Sequence, residues 1–212
     1  MAELHRISLL CRLEERLMDC GFPYVAGVDE AGRGCLAGPV VAAAVITDPN
    51  RWIPGVDDSK KIPAKRRKSL ARMIKSSAFA YAVAEVSAVT IDRINILEAT
   101  RLAMNRALDS LPLTPDCAMV DAVVLRRRKY PCYAIVRGDA LSYSVSCASI
   151  LAKEARDRMM IGLDQKYPCY GFASHKGYGA VRHLRALAEY GPCPIHRLTF
   201  KSVLPRTSEV HH

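Results

Sequence analysis

Apolar residues recur at helical spacing from residue 3 to residue 20, with Ile7, Leu10, Leu13 and Leu17 on one side and Gly21 closing the pattern. The period then changes. Tyr24–Val28 and Pro39–Ile46 are rich in β-branched and small apolar residues, and the glycine-rich turn between them predicts a hairpin with a broad loop. Pro63 opens a basic helix running to about Ser77, and Phe79–Val89 returns to β character, which completes an antiparallel meander of three strands. Asn95 with Glu98 has the form of an N-cap followed by an acidic N3 residue, and the helix behind it puts Leu97, Met104 and Leu108 on one face. Cys117–Leu125 and Cys132–Val136 read as two further short strands, Ser142–Leu163 as a long helix, and Gly177–Tyr190 as a last helix before a proline-punctuated tail. The pattern predicts a single α/β domain over 1–212 whose C-terminal part, from about residue 165, is helical.

Composition fits this picture. The chain has 212 residues, half of them apolar, enough for a packed core. Glu3, Glu14 and Glu15 interrupt any leader-like run, and the apolar segment Val40–Ile46 is far too short to cross a bilayer. Eight cysteines form no C-x-x-C pair and no zinc spacing with the six histidines, so they read as free thiols in a reducing cytoplasm. Charge adds something new. The net value of +10 is concentrated in residues 51–75, where nine Lys or Arg face only Asp57 and Asp58, and again in Arg126–Lys129. Such clusters attract polyanions, although a merely solvated basic face has the same composition.

Four acids carry the candidate chemistry. Asp29 and Glu30 end the first predicted strand, immediately before a turn containing Gly32, Arg33 and Gly34. Adjacent, partly buried carboxylates repel and need a neutralising cation, for which a hard divalent ion with oxygen ligands is suited. The turn supplies backbone N–H groups and a guanidinium that fit a phosphate or a sugar edge. Asp121 lies in the apolar run Cys117–Val124, and Asp139 follows the strand-like Tyr133–Val136. Carried on the ends of neighbouring strands, these four acids would bind two Mg²⁺ or Mn²⁺ ions about 4 Å apart, an arrangement suited to phosphodiester hydrolysis.

Seven segments in order resemble the bacterial ribonuclease HII family over about residues 20–205: Gly27-Val-Asp-Glu-Ala-Gly-Arg-Gly34, Asp58-Ser-Lys-Lys61, Ile94-Asn-Ile-Leu-Glu-Ala-Thr100, Val120-Asp121, Gly138-Asp-Ala140, Ala148–Lys153 with Arg156-Asp157, and His175-Lys-Gly-Tyr-Gly179. The resemblance implies a ribonuclease H-like fold, a mixed five-stranded sheet (antiparallel meander plus two parallel strands) flanked by helices. It also implies hydrolysis 5′ of ribonucleotides embedded in duplex DNA and of the RNA of RNA–DNA hybrids, leaving 3′-OH and 5′-phosphate ends, with roles in ribonucleotide and primer removal. By the family pattern Asp29, Glu30, Asp121 and Asp139 are the catalytic, metal-binding acids; Gly32, Arg33 and Gly34 contact the 2′-hydroxyl and backbone at the junction; and Tyr178 stacks on the neighbouring deoxyribose. Ser59, Lys60, Lys153 and Arg156 are further candidates for phosphate contact, each with a structural alternative.

The chain departs from that pattern at Cys35, where proline is common, at Ala122, where glycine is common, and at Ser146-Cys147 within an alanine-rich helix start. Two other readings stay open. One is the sister type III enzyme, which prefers long hybrids, carries an extra N-terminal domain and normally has lysine at the position of Arg33. The other is a non-catalytic nucleic-acid-binding module resting on the basic window. No sliding-clamp motif of the Q-x-x-[LIM]-x-x-[FY]-[FY] type is visible, and a monomer is the default expectation.

Overall fold

In the computed structural model, residues 1–126 and 128–204 are described; Arg127 of the second basic cluster and the terminal His211-His212 lie outside them. Five strands, β1 (Val25–Ala31), β2 (Val40–Ile46), β3 (Ala80–Val86), β4 (Cys117–Asp121) and β5 (Cys132–Ile135), form one sheet in the order β3-β2-β1-β4-β5. The first three pair antiparallel, whereas β4 runs parallel to both β1 and β5, as the sequence pattern and the resemblance together predict.

Every residue of β2 is buried because helices cover both faces of the sheet, which is why Val40–Ile46 reads as a continuous apolar run rather than an alternating one. On one face Val40, Ala42, Ala44 and Ile46 pack with Ile91, Ala103 and Met104 of α3 (Ala88–Asp109). On the other, Ala43 and Val45 meet α1 (Ala2–Asp19), α2 (Ala64–Ser77) and α5 (Tyr143–Lys166). The approach of α5 to β1 is so close that a Cβ on Gly27 would lie 2.1 Å from the Ser144 carbonyl carbon. Only glycine fits there, and this contact fixes α5 over the strand that carries Asp29. Glu14 of α1 completes the junction: its buried carboxylate accepts from the Ser142 hydroxyl at 2.6 Å and from the Ser144 amide at 2.8 Å, closing the exposed N–H end of α5.

The structure differs from the pattern-based elements at three places. Strand β1 runs on to Ala31, past the predicted Val28, so Asp29 and Glu30 are among its last residues. Ala88 and Val89, read as the end of the third strand, instead open a helix behind an N-cap in which Ser87 Oγ accepts from the Thr90 amide. Asn95 then breaks α3 at φ 65°, and its Oδ1 accepts from the Leu97 and Glu98 amides, so the predicted cap restarts a helix already begun. After the short α4 (Gly138–Leu141) and α5, residues 177–180 form a turn between α6 (Phe172–His175) and α7 (Val181–Tyr190), where a continuous helix from Gly177 was expected.

Candidate active site

The register of the parallel pair places Val28 opposite Val120, so the next residues, Asp29 and Asp121, emerge side by side at the C-terminal ends of β1 and β4. One oxygen from each of Asp29, Glu30 and Asp121 lies within 4.8 Å of the others. Burial pushes the Asp29 carboxyl well above its ordinary value, with the Glu30 charge adding to the rise and the Ser149 hydroxyl opposing it. Burial likewise raises Glu30 to about 7, although Arg33, whose Nη1 stands 3.6 Å from Glu30 Oε1, pulls the other way. Glu30 Oε2 is buried with no hydrogen-bond partner. Three converging acids, two of them held toward the protonated form, and an orphaned carboxylate oxygen fit a divalent cation.

Asp139 is carried on α4 and lies outside that triad. Its pKa is raised by burial and by the Asp58 charge, and Lys60 Nζ stands 3.8 Å from its Oδ2. Two links hold it near the others: the Gly138 amide donates to Asp121 Oδ1 at 2.7 Å, and Ser146 Oγ donates to the Asp139 carbonyl at 2.6 Å. Ser146, a departure from the alanine-rich pattern, therefore ties α5 to this turn. Ala122, the other departure beside an acid, sits at φ 49°, a left-handed conformation that costs an alanine about 1 kcal/mol. Ala122→Gly is expected to raise the unfolding free energy by about 0.5 kcal/mol net, after glycine's greater freedom in the unfolded chain is subtracted. A denaturant midpoint lower than wild type would contradict this.

The loop after β1 is shaped by two fully buried arginines. Arg197 donates from Nη1 to the Arg33 carbonyl (2.8 Å), from Nη2 to the Gly32 carbonyl (2.7 Å), and from Nε and Nη2 to the Gly38 carbonyl (3.0 and 2.9 Å). Arg156 donates to the carbonyls of Pro39, Lys176 and Ala37 at 2.9–3.0 Å. Both are 0% exposed. This corrects the expectation for Arg156: its nitrogens are spent on backbone carbonyls, and it is out of reach of a phosphate. A Cβ on Gly32, which has φ 96°, would meet Arg156 Nε at 2.0 Å, whereas Gly34 has open space around it.

Tyr178 is 45% exposed beside this loop. Burial, with Cys35 nearby, raises the pKa of its hydroxyl, and Lys153 Nζ lies 5.8 Å from its ring centroid. Lys153 is held there by Asp157 at 2.7 Å, and Asp157 also accepts from Arg67 at 2.6 Å. Ser59 is buried and its hydroxyl pairs with that of Ser149 at 2.9 Å, which makes it a support for Asp29 and corrects its assignment to substrate. Lys60, with its side chain 80% exposed beside Asp139, remains open to a phosphate. Within the basic window Arg67 is turned inward to Asp157, while Lys65, Lys68, Arg72 and Lys75 face solvent. Sequence reasoning missed Arg197 and Glu14 as shapers of the site, and neither carries a local pattern that would have revealed it.

The raised Glu30 pKa has a testable consequence for stability. Between its ordinary value of 4.5 and about 7, the folded metal-free protein holds a proton that the unfolded chain releases. Its stabilising contribution is thus complete below pH 4.5 and is lost as pH rises through 7, a change on the order of 3 kcal/mol. His196, lowered to about 4 by burial, changes stability in the opposite sense between pH 4 and its ordinary 6.5. The comparison must therefore be with Glu30→Gln. In chelator, that variant is expected to gain stability over wild type progressively from pH 5 to pH 8 by chemical denaturation. A difference independent of pH would show that Glu30 is not perturbed.

A family model described as ribonuclease HII matches residues 26–203. A ribonuclease HII of Geobacter metallireducens is 53% identical over 183 residues, covering 86% of each chain. Among solved structures, ribonuclease H2 of Pyrococcus horikoshii OT3 superposes with a TM-score of 0.71 at 31% identity, over 84% of this chain and 94% of that one. Bst-RNase HIII, solved in complex with Mn²⁺, has a TM-score of 0.64 over 85% of this chain and 68% of its own, and at 19% identity it speaks for the fold alone.

Proposed function

The chain belongs to the ribonuclease HII family, and we propose that it is an endoribonuclease cutting 5′ of ribonucleotides in duplex DNA, and the RNA of RNA–DNA hybrids, to leave 3′-OH and 5′-phosphate ends. The observation that carries the reading is the placement of the Asp29–Glu30–Asp121 triad beside the Gly32-Arg33-Gly34 loop and Tyr178. Asp29, Glu30 and Asp121, with Asp139 from α4, would hold divalent ions, Mg²⁺ or Mn²⁺ and two per site in our reading. Such ions supply charge neutralisation, activation of water and stabilisation of the leaving oxygen when bound. The protein's own groups do the rest. Arg197 occupies the carbonyls of Gly32 and Arg33, which leaves the amide edge of the turn to read a 2′-hydroxyl, the group that separates a ribonucleotide from its neighbour. Tyr178 offers a flat face to the next sugar, and Lys60 and Lys153 offer charge to the backbone. The chain works as one catalytic domain, as a cytoplasmic monomer; no helix among the described residues is long and apolar enough to cross a membrane. Its partners are the nucleic acids themselves.

A duplex containing one ribonucleotide, incubated with Mg²⁺ or Mn²⁺, tests this. Wild type should cut 5′ of the ribonucleotide, and Tyr178→Ala should cut about tenfold more slowly with its melting curve unchanged. No cutting by wild type with either ion would favour a binding module. Cutting confined to long hybrids would favour the type III reading, against which Arg33 stands.

A further inference from the structure

Two buried histidines outside the acid cluster remain without a role. His183 on α7 and His196 in the tail are 0% and 2% exposed, and their Nε2 atoms lie 2.9 Å apart. The groups at either end dictate where the protons sit. His183 Nδ1 faces the Tyr178 carbonyl at 2.8 Å and must carry a hydrogen, so its Nε2 is bare in the neutral ring. His196 Nδ1 accepts from the Cys193 amide at 2.9 Å, a tighter contact than the 3.3 Å to the Cys193 carbonyl, so its hydrogen is on Nε2. The result is one directed chain, from the Cys193 N–H to His196, from His196 Nε2–H to His183 Nε2, and from His183 Nδ1–H to the Tyr178 carbonyl.

The surroundings suit neutral rings held rigidly. His175 stacks on His183 at 4.6 Å and 13°, Phe172 meets both rings, and Tyr170 meets His196 edge-on at 4.9 Å. Burial holds both imidazoles below their ordinary pKa. His175 is itself fixed, with Nε2 on the Tyr170 carbonyl and Nδ1 accepting from the Gly177 amide. Tyr178 lies in a turn and not in a helix or strand, so its placement depends on what holds that turn. Lys176 and Gly177, just before it, have φ 53° and 84°; Arg156 holds the Lys176 carbonyl and the Leu36 and Ala37 amides hold that of Gly177, whereas the carbonyl of Tyr178 itself is met by His183 and, locally, by the Ala180 amide.

We propose that His183 and His196 form a two-imidazole relay that positions Tyr178, and thereby sets how well the ring tests the sugar beside the cut. The relay rests on the reading of Tyr178 given above. His183 and His196 are positioning residues; neither reaches the acids.

A mutant cycle tests the relay on the single-ribonucleotide duplex. His183→Leu, which removes the donor to Tyr178, should lower kcat about tenfold with KM within about twofold of wild type, because duplex affinity comes from phosphate contacts elsewhere. His183→Asn, whose amide can replace Nδ1–H, should recover to within about threefold of wild type. The double variant Tyr178→Ala/His183→Leu should be no slower than Tyr178→Ala alone, since His183 acts through that ring. Additive losses, or no loss in His183→Leu, would overturn the relay while leaving the nuclease reading intact. A wild-type rate in Tyr178→Ala would remove the ring's junction role and the relay with it, whereas an inactive wild type would instead sink the nuclease reading. If His183→Leu does not fold, ¹⁵N NMR of the wild-type imidazoles decides. The relay requires His183 protonated on Nδ1 and His196 on Nε2 at neutral pH, and His196 protonated on Nδ1 would overturn it.

Discussion

Asp29→Asn is expected to lower cleavage by at least about 10³-fold while making the metal-free protein more stable. The two effects have one cause. Asp29 is buried between Glu30 and Asp121, and its charge is opposed by desolvation and by both neighbours, with the Ser149 hydroxyl, the Glu30 amide and the more distant Lys60 charge in its favour. Asparagine keeps the side chain's size and an oxygen for that amide but removes the charge, so the repulsion within the triad falls. Stability in chelator should rise by about 1 kcal/mol or more at pH 8, where the wild-type acids are ionised most fully. The same removal deprives a divalent cation of its most enclosed ligand, and the several kcal/mol of transition-state stabilisation that such ions supply translate into three or more orders of magnitude in rate. Cleavage with saturating Mn²⁺ and denaturation with and without Mn²⁺ are the measurements. Wild type should gain stability on adding the ion and the variant should gain little. A variant that cuts normally, or that is as strongly stabilised by Mn²⁺, would remove Asp29 from the metal site.

The acids were legible in the sequence because they break a rule: carboxylates among Val, Ala and Met have no place in a core unless something neutralises them. The three-stranded meander was legible too, whereas the place of β4 beside β1 was written in no local pattern; the long helical crossover between β3 and β4 is what makes that pair parallel. Cationic residues were read less well. Sequence reports that Arg156 is charged and close in sequence to Lys153, but not that it is wholly buried with each of its three nitrogens on a backbone carbonyl. Ser59 was misassigned for the same reason, because a hydroxyl facing Ser149 and one facing solvent look alike in a string of letters. The helix at 88–94 was hidden by local propensity, its β-branched residues being tolerated because Ile91 is completely buried against the sheet.

Arg197 gives the second large effect, and it is one that no motif announced. Arg197→Met should destabilise the protein by about 2–4 kcal/mol and slow cleavage by at least about 10²-fold. The side chain carries four hydrogen bonds to the carbonyls of Gly32, Arg33 and Gly38, which together bracket the loop that follows β1. Burial of the guanidinium is costly, enough to lower its pKa to about 10, and methionine relieves that cost. The three carbonyls are then left without their donor at about 1–3 kcal/mol each, less whatever water can restore, so the balance stays unfavourable. Activity falls along with stability because the loop's shape, not merely its presence, aims its amides at the substrate, and a displacement near 1 Å can cost about a hundredfold. Arg197→Lys keeps the charge but collapses a planar fork of donors to one point, so it should recover less than half of the lost stability. Because Arg156 holds Ala37 and Pro39 in the same loop, removing both arginines should cost less than the sum of the single losses once the loop has already let go. Denaturation midpoints and single-turnover cleavage of all four variants would check each step, and an Arg197→Met protein that melts and cuts like wild type would refute the clamp.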